Sequence, residues 1–532
     1  MKFSILLFVA SLALFTIGLS GQEIISFDAR FYLFALEMWR NGISWFPTTY
    51  GAPYPDYPAL STILVVGSAS LFGGLNKFTA VLPSATAAAL TVVVTYHIGR
   101  LQDKRLGFYA VFMLIGTLAF FKSARAIALD MYPTLITACC FYLVHSATIN
   151  HQPRRVRWVY PLLALSFVFR GPIGLVMPTG VVCVYYLLAG RFKQFFVVGV
   201  KAFVLLLLCV AGLLWLAYQV GGSVFLQEVW RMEVMGRMGE QFLPLSFYFT
   251  DSLLSYALAY PFALMAMLVA VCHYFARAER TEASRFLLQL TGWVLVIMLG
   301  MSIPGDKKVR YVLPMAPALA LLAASVWLNI SKDKFSVFLR KLMTCFFLLL
   351  PGLFAVATAY AWHISVRYGL SDELPFLSLI IFFVVVQVGG VYGYFTKDDS
   401  AAERLTWVIF SGVLCFVVAN LFVIEPVELY VDRTRDFVQG IERLRLEKDA
   451  QLVFYRERSD GLPIKYLVNV GDAVQPLFMT NEAQLRQVRK PAVMITSIDY
   501  FEDLLTHSTQ RYRVIGKGRV GHVEVVVFEH DR

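Results

Sequence analysis

Long apolar runs recur along the whole chain, and this repetition constrains the fold more than any other feature. A run of about twenty such residues lets a helix cross the roughly 30 Å of hydrocarbon in a bilayer. In lipid the backbone must satisfy its own hydrogen bonds, which a helix does within one segment. The composition agrees, because 58% of the 532 residues are hydrophobic and only 16% are charged. The sequence therefore predicts an α-helical polytopic membrane protein.

The pattern of apolar runs predicts about thirteen spans. They cover residues 3–20, 79–99, 106–122, 131–149, 159–169, 173–189, 194–218, 252–274, 286–303, 312–329, 342–362, 375–394 and 405–424. The pair 159–169 and 173–189 is predicted as a short hairpin turning at 170–172, because the basic stretches that flank it then share one face of the membrane. Residues 58–75 are apolar but rich in Gly and Ser, and we expect them to lie along the interface. If they crossed the membrane, every later side assignment would be reversed.

Charge indicates which face each loop occupies. With the N-terminus inside, the inner loops hold eighteen Lys and Arg against seven Asp and Glu, whereas the outer loops before Glu425 hold twelve of each. Cytoplasmic loops carry such an excess of positive charge. We therefore expect the N-terminus in the cytoplasm and the C-terminus outside, although the run 3–20 could also be read as a signal peptide. The net charge of +11 then reflects topology and does not indicate nucleic-acid binding.

The composition becomes mixed and charged after Glu425. Alternating apolar runs predict strands at 451–455, 492–497 and 522–528, and two amphipathic stretches predict helices at 433–447 and 481–490. The seven cysteines lie in apolar runs without metal-ligand spacing and predict neither disulfides nor a thiolate metal site. The predicted domains are a transmembrane domain at 1–425, with its first periplasmic loop at 21–78, and a small C-terminal α/β periplasmic domain at 426–532.

Charged side chains gather near the outer ends of the predicted spans. The outer loops hold Asp28, Arg30, Asp56, Arg125, Asp130, Arg170, Glu233, Lys307, Lys308 and Arg310. Ionisable groups at this depth are costly and by default mark a functional polar cavity. Lys and Arg can hold a phosphate and stabilise charge on a phosphate leaving group, while a carboxylate can orient or deprotonate a nucleophile. A substrate with a surface phosphate and an apolar tail is a polyprenyl-phosphate sugar, so the cluster favours glycosyl transfer.

Each of these residues also has a purely structural interpretation. Asp28 and Asp130 each precede an apolar helix and could cap it. The stretch 307–310 could be a solvated turn, and Glu233 could lie on an amphipathic surface helix. Almost no histidine falls on the outer loops, so a His-based metal site there is not expected, although carboxylates alone could hold a divalent metal ion.

Five segments occur in an order that resembles a known family. They are FDARFYLFALEMWRNGISWFPT, YPDYPAL, ARAIALDMYPT, RGPIGLVMP and KKVRYVLPMAPALALL, spread over most of residues 1–330. They resemble the membrane-embedded glycosyltransferases of the C superfamily, which share the GT-C fold, notably the bacterial aminoarabinose lipid A transferases and the protein mannosyltransferases. The resemblance extends to an outward C-terminal domain, and it implies a bacterial inner membrane whose outer face is periplasmic.

The resemblance implies roles for individual residues. Asp28 would be the catalytic-loop acid and Asp130 a second acid, and the donor phosphate would be held by Arg170, Lys307, Lys308 and Arg310. Substrate-binding residues by the same resemblance would be Arg30, Tyr32, Asp56, Tyr57, Arg125, Glu233 and Tyr311. The chain departs from the family pattern at Ala29, at Val234, and at 56–58, where a Lys-Pro-Pro pattern and its cation are absent.

We therefore expect transfer of a sugar from an undecaprenyl-phosphate-linked donor to lipid A or another outer-leaflet glycolipid. A protein Ser or Thr hydroxyl is the alternative acceptor. A transporter would need charges within the spans, where Lys201 is nearly alone, and a scaffold would tolerate loss of Asp28. We expect a monomer among membrane lipids, with no nucleic-acid partner and no cofactor other than the divalent metal ion left open above.

Overall fold

A computed structural model of the chain describes residues 2–235, 243–275, 281–328, 334–367, 374–396, 401–471, 473–488, 491–508 and 511–530. The helices are α1 (Lys2–Thr16), α2 (Asp28–Asn41), α3 (Leu60–Leu71), α4 (Lys77–Arg100), α5 (Lys104–Ile115), α6 (Leu118–Ala124), α7 (Met131–Ile149), α8 (Val159–Leu188), α9 (Phe192–Val229), α10 (Phe247–Ser255), α11 (Tyr260–Phe275), α12 (Glu282–Ser302), α13 (Ala316–Ser325), α14 (Lys334–Arg367), α15 (Phe376–Thr396), α16 (Ala401–Ala419), α17 (Glu425–Val431), α18 (Arg435–Glu447), α19 (Leu462–Leu467), α20 (Glu482–Arg486) and α21 (Ile498–His507). The strands are β1 (Thr48–Thr49), β2 (Ala52–Pro53), β3 (Gln451–Tyr455), β4 (Leu477–Met479), β5 (Ala492–Ser497), β6 (Tyr512–Val520) and β7 (Val523–His530).

The chain divides into two compact units. The first contains residues 1–17, 55–60 and 83–424, and the second contains 18–54, 61–82 and 425–532. Most of the first loop thus belongs with the C-terminal region, and the domain boundary predicted at 425/426 stays a prediction.

The apolar helices make this a multi-pass membrane protein. Within the described part of the chain, nine helical segments are long and apolar enough to cross a membrane, or ten if α5 and α6, bent by 73°, form one span. The count of thirteen is not confirmed. Three of the missing spans have a local cause, because α1 has only 15 residues, both arms of the predicted hairpin fall within the one segment Pro153–Leu188, and the predicted span 252–274 is broken between α10 and α11.

The hairpin predicted at 170–172 is present inside α8. Arg170 and Gly171 leave the helical conformation, and a Cβ atom on Gly174 would collide with the main-chain oxygen of Ser166. Residues eight apart in a straight helix are about 12 Å apart along the axis, so this close approach requires the chain to reverse. At the other end Arg191, just after α8, donates a hydrogen bond to Thr148 near the end of α7 at 3.4 Å. Both ends of α8 therefore lie on one side of the first unit.

Helix α13 forms the centre of the first unit, since all ten of its residues are buried. It packs against α5, α11 and α12, and its alanines allow close approach of these neighbours. The segment Phe192–Glu233, by contrast, is mostly exposed, because only 11% of its most apolar 18-residue stretch is buried inside the protein. Exposed side chains such as Trp215, which is 64% exposed, are expected to contact lipid.

The second unit contains a five-stranded sheet in the order β4-β3-β5-β7-β6. Strand β3 pairs in parallel with β4 and β5, while β7 is antiparallel to β5 and β6. Val453, Met494 and Phe528 are register partners in adjacent strands, so their side chains share one face. They pack there against Phe501 and Leu504 of α21. The strands predicted at 451–455, 492–497 and 522–528 and the helix predicted at 433–447 lie close to observed elements. The helix predicted at 481–490 is observed only at Glu482–Arg486, and residues 489–490 lie outside the described residues.

The first loop contributes α2, the β1–β2 hairpin and α3 to the second unit. Glu37 of α2 fixes the hairpin turn, because its carboxylate accepts hydrogen bonds from the main-chain N–H groups of Tyr50 at 2.5 Å and Gly51 at 3.2 Å. Both turn residues have positive φ, at 56° and 78°. Helix α3 has 12 residues and is about 18 Å long, which is shorter than the hydrocarbon layer that a span must cross.

Candidate active site

Asp130 lies at the centre of a buried charge cluster in the first unit. Its Oδ1 accepts a hydrogen bond from Arg170 Nε at 2.9 Å, and its Oδ2 lies 3.6 Å from Arg310 Nε. The side chains of Asp130 and Arg170 are 5% and 3% exposed, whereas that of Arg310 is 26% exposed. Asp130 makes no capping hydrogen bond to α7, so the capping role considered from the sequence does not describe its side chain.

Two tyrosine rings lie beside the Arg170 guanidinium. Its Cζ lies 5.1 Å from the ring centroid of Tyr57 and 5.5 Å from that of Tyr311. Arg310 contacts the Tyr311 ring as well, at 5.6 Å. Cation–π contacts of this kind fix the plane of a guanidinium. The cluster therefore presents two arginines whose orientation is set by one carboxylate and two aromatic rings.

The break in α8 places Arg170 in this cluster. Gly171 adopts φ 65°, a conformation that side chains rarely allow, and a Cβ atom at this position would collide with the Glu233 carboxylate. Glu233 in turn accepts a hydrogen bond from the main-chain N–H of Tyr57 at 2.8 Å. Tyr57 is held at φ 71°, a strained backbone conformation typical of functional sites. Asp56, the residue before Tyr57, is also buried.

Three other predicted cations make different contacts. Lys307 is buried and donates a hydrogen bond to the Leu243 carbonyl at 2.8 Å. Lys308 is about half exposed and lies 3.5 Å from Asp306, as in the solvated turn considered above. Arg125 donates to main-chain carbonyls at the C-terminal end of α1, where a cation offsets the helix dipole.

Asp28 belongs to the second unit and forms a buried ion pair there. It is the first residue of α2, and its Oδ2 contacts Nζ of Lys77, the first residue of α4. The two side chains are 5% and 7% exposed. The helix macrodipole favours an acid such as Asp28 at a helix N-terminus and disfavours a lysine. Contact with the Asp28 carboxylate therefore accounts for the presence of Lys77 at the start of α4. Because Asp28 and Asp130 fall in different units, their predicted common pocket stays a prediction.

Arg30 and Tyr32, which were also predicted in the first loop, have partners within the second unit. Arg30 donates to the main-chain oxygen of Asp460 at 2.9 Å, and the Tyr32 hydroxyl donates to that of Leu75 at 3.1 Å. Burial raises the pKa of Tyr32, and the nearby Arg435 and Arg40 partly offset that rise.

The sequence left open whether carboxylates hold a divalent metal ion. Across the described ranges, no three or more His, Cys, Asp or Glu side chains are grouped so that they could hold a metal ion.

Sequence reasoning missed Lys77 and the arginines near Tyr32. Lys77 carried a signal, because a cation at the start of an apolar helix is unfavourable unless an acid meets it. No sequence signal identified Arg40 and Arg435, since their neighbours are distant in sequence and charged residues on exposed amphipathic helices are common.

Comparison with solved structures identifies the fold. ArnT from Cupriavidus metallidurans bound to undecaprenyl phosphate is similar over 99% of this chain and 98% of that one, with a TM-score of 0.73 and 17% identity. Its apo state gives a TM-score of 0.71 at 16% identity, with the same coverage. This chain has the GT-C fold.

Two further comparisons agree. Residues 56–215 match the family described as dolichyl-phosphate-mannose-protein mannosyltransferase, a range that includes Lys77, Asp130 and Arg170. The archaeal oligosaccharyltransferase AglB from Archaeoglobus fulgidus, in complex with an inhibitory peptide and a dolichol-phosphate, is similar over 94% of this chain and 70% of that one, with a TM-score of 0.50 and 10% identity. No curated protein sequence gives a match. The resemblance predicted from the sequence is confirmed.

Proposed function

We propose that this protein is a glycosyltransferase that moves a sugar from an undecaprenyl-phosphate-linked donor to lipid A or another outer-leaflet glycolipid. The reaction takes place on the periplasmic side of a bacterial inner membrane. The observation that carries the proposal is the buried cluster of Asp130, Arg170 and Arg310. Similarity to ArnT bound to undecaprenyl phosphate and to AglB with a dolichol-phosphate supports a polyprenyl-phosphate donor.

Arg170 has a hydrogen-bond donor available for a further anion. Its Nη1 atom is buried and has no hydrogen-bond acceptor within the described part of the chain, while its Nε is engaged by Asp130. Buried donors without an acceptor are rare, and a guanidinium suits the oxygens of a phosphate. A phosphate oxygen at Nη1 would satisfy this donor.

The cluster can then stabilise the leaving group. During transfer, the acceptor oxygen bonds to the anomeric carbon while the bond from that carbon to the phosphate oxygen breaks, and the electron pair remains on the phosphate. Arg170 and Arg310 would offset the resulting negative charge. Asp130 and the two tyrosine rings keep the guanidiniums in place, so little reorganisation is needed at the moment of reaction.

The role of Asp28 depends on the acceptor. A phosphate acceptor is already anionic, so Asp28 and Lys77 would mainly position it. A Ser or Thr hydroxyl must lose a proton, which the Asp28 carboxylate would accept. This second candidate, protein O-glycosylation, is favoured by the mannosyltransferase match at residues 56–215 and by the peptide in the AglB complex.

Mass spectrometry of lipid A tests the proposal. Cells that make the wild-type protein should show lipid A carrying one additional sugar, and deletion of the gene or the variants Asp130→Asn and Arg170→Gln should remove it. Arg443→Gln, an exposed arginine on α18, is the matched control and should leave the profile unchanged. An identical profile with and without the gene would reject the lipid A acceptor. A glycoprotein signal lost on Asp28→Asn would then support the protein acceptor.

A further inference from the structure

The second unit contains a polar cavity, and Tyr32 is the one lining residue that the sequence analysis predicted as part of a site. Its volume is about 430 Å³, within the range of ligand pockets in proteins. Helices α2 and α18, the start of α4 and residues 468–471 form its walls. All the lining residues belong to the second unit.

Three cations line this cavity, and no Asp or Glu is among its lining residues. Arg40 donates hydrogen bonds to the main-chain oxygens of Val470 at 3.2 Å and Gly471 at 2.6 Å, and Arg435 donates to that of Gln22 at 3.3 Å. Within the described ranges neither arginine pairs with a carboxylate, so their charges are not neutralised by an acid. A guanidinium has five N–H donors, and most of these remain available to a ligand.

The third cation connects the cavity to the candidate catalytic acid. Lys77 lines the cavity and contacts the Asp28 carboxylate. Two acids lie beside lining residues: Glu23 accepts hydrogen bonds from the main-chain N–H groups of Thr434 and Arg435 at 3.1 Å each, and Glu425 accepts one from the Gln22 side-chain amide at 3.1 Å. Glu23 is thus engaged at the start of α18 and does not occupy the cavity wall.

The remaining polar lining suits a sugar. Side-chain amides are contributed by Gln22, Asn76, Gln439 and Asn469. Each amide offers both donors and acceptors, as sugar hydroxyls require. An excess of positive charge combined with several amides in the lining points to a ligand that carries both phosphate and sugar.

We propose that this cavity binds the phosphorylated sugar headgroup of the acceptor lipid, with Arg40 and Arg435 holding its phosphate and Lys77 directing it to Asp28. The assignment to the acceptor rests on the proposed function, in which Asp28 serves the acceptor. It extends that function by assigning a cavity for the acceptor headgroup and by naming two arginines that recognise it.

Binding of glucose 1-phosphate to the purified full-length protein in detergent tests the cavity directly, with glucose as the uncharged control. We expect glucose 1-phosphate to bind more tightly than glucose, and Arg435→Gln to raise its Kd about tenfold, the loss of one charge-assisted hydrogen bond. Arg435→Lys should retain most of the affinity because it keeps the charge. Arg443→Gln, on the same helix but exposed, should bind as the wild type does.

Kinetics distinguish the acceptor from the donor. In a transfer assay Arg435→Gln should raise the KM for the acceptor lipid about tenfold and leave the KM for the donor unchanged. A rise in the donor KM alone would overturn the acceptor assignment. Equal binding of glucose and glucose 1-phosphate, or an Arg435→Gln variant that behaves as Arg443→Gln does, would overturn the cavity proposal. Binding that depends on Arg435 supports the cavity even where the wild type transfers no sugar, and in that case the failure lies with the proposed function.

Discussion

Removal of the Lys77 side-chain charge should destabilise the protein far more than removal of an exposed cation. Lys77 and Asp28 have side-chain exposures of only 7% and 5%, so Lys77→Met leaves a buried carboxylate without its lysine. Breaking a buried ion pair in this way typically costs about 3–5 kcal/mol. Lys77→Met should therefore lower the free energy of unfolding by about that amount.

The pair Arg456 and Asp503 provides a matched control in the same unit. Its side chains are 39% and 45% exposed, and a solvent-screened pair contributes only about 0–1 kcal/mol. The assay is reversible denaturant unfolding of the full-length protein in detergent, for Lys77→Met, for Arg456→Met and for the double variant Asp28→Asn/Lys77→Met. The double variant should recover most of the loss, since no buried charge remains without its partner.

Two results would refute this reasoning. Lys77→Met could cost no more than Arg456→Met, which would mean that the ion pair is solvated in the protein. Alternatively, the double variant could be as unstable as Lys77→Met, which would assign the loss to the packing of the lysine stem and not to the buried charge.

Three further predictions address the arginine cluster, the break in α8 and the first-loop turn. Arg170→Lys keeps the charge but loses the planar guanidinium that contacts two tyrosine rings and Asp130, so donor kcat/KM should fall about 10- to 100-fold, and an unchanged value would contradict the role of the guanidinium. Gly171→Ala should lower the unfolding midpoint more than Gly190→Ala, because both glycines have positive φ but only the first adds a collision with Glu233; equal losses would contradict this. Burial, followed by the charge of Glu37, raises the pKa of Tyr50 above its ordinary 10.0. The stability that the neutral Tyr50 hydroxyl contributes is therefore lost as the pH rises past 10.0. The Tyr50→Phe variant should lose less stability than the wild type between neutral and alkaline pH.

The transmembrane helices were largely predictable because apolar length is a local property of the sequence. The hairpin in α8 was also predictable, since the basic stretches at its two ends had to share a face. The bend between α5 and α6 was not predicted, although Gly116 at the break was a signal for it. The break between α10 and α11 falls at Leu258, whose φ of 74° reflects its packing and not its residue type.

The charge cluster was predictable in part. Asp130, Arg170 and Arg310 were selected because ionisable groups near membrane depth are costly, and the structure brings them together. The contact between Asp28 and Lys77 was not predicted, although a cation at the start of an apolar helix was a signal, because nothing local to either residue identifies a partner 49 positions away. Long-range pairing of this kind leaves no periodic pattern in the sequence.

Sugar transfer by the purified protein in proteoliposomes tests the central claim most directly. The donor is an undecaprenyl-phosphate-linked radiolabelled sugar, the acceptor is lipid A, and the variants are Asp130→Asn, Arg310→Gln and the exposed control Arg443→Gln. We expect transfer by the wild type and the control, and kcat/KM lowered at least about tenfold in each cluster variant, since each loses a charge-assisted contact. Undiminished transfer by Asp130→Asn and Arg310→Gln would contradict the claim that this cluster holds the departing phosphate.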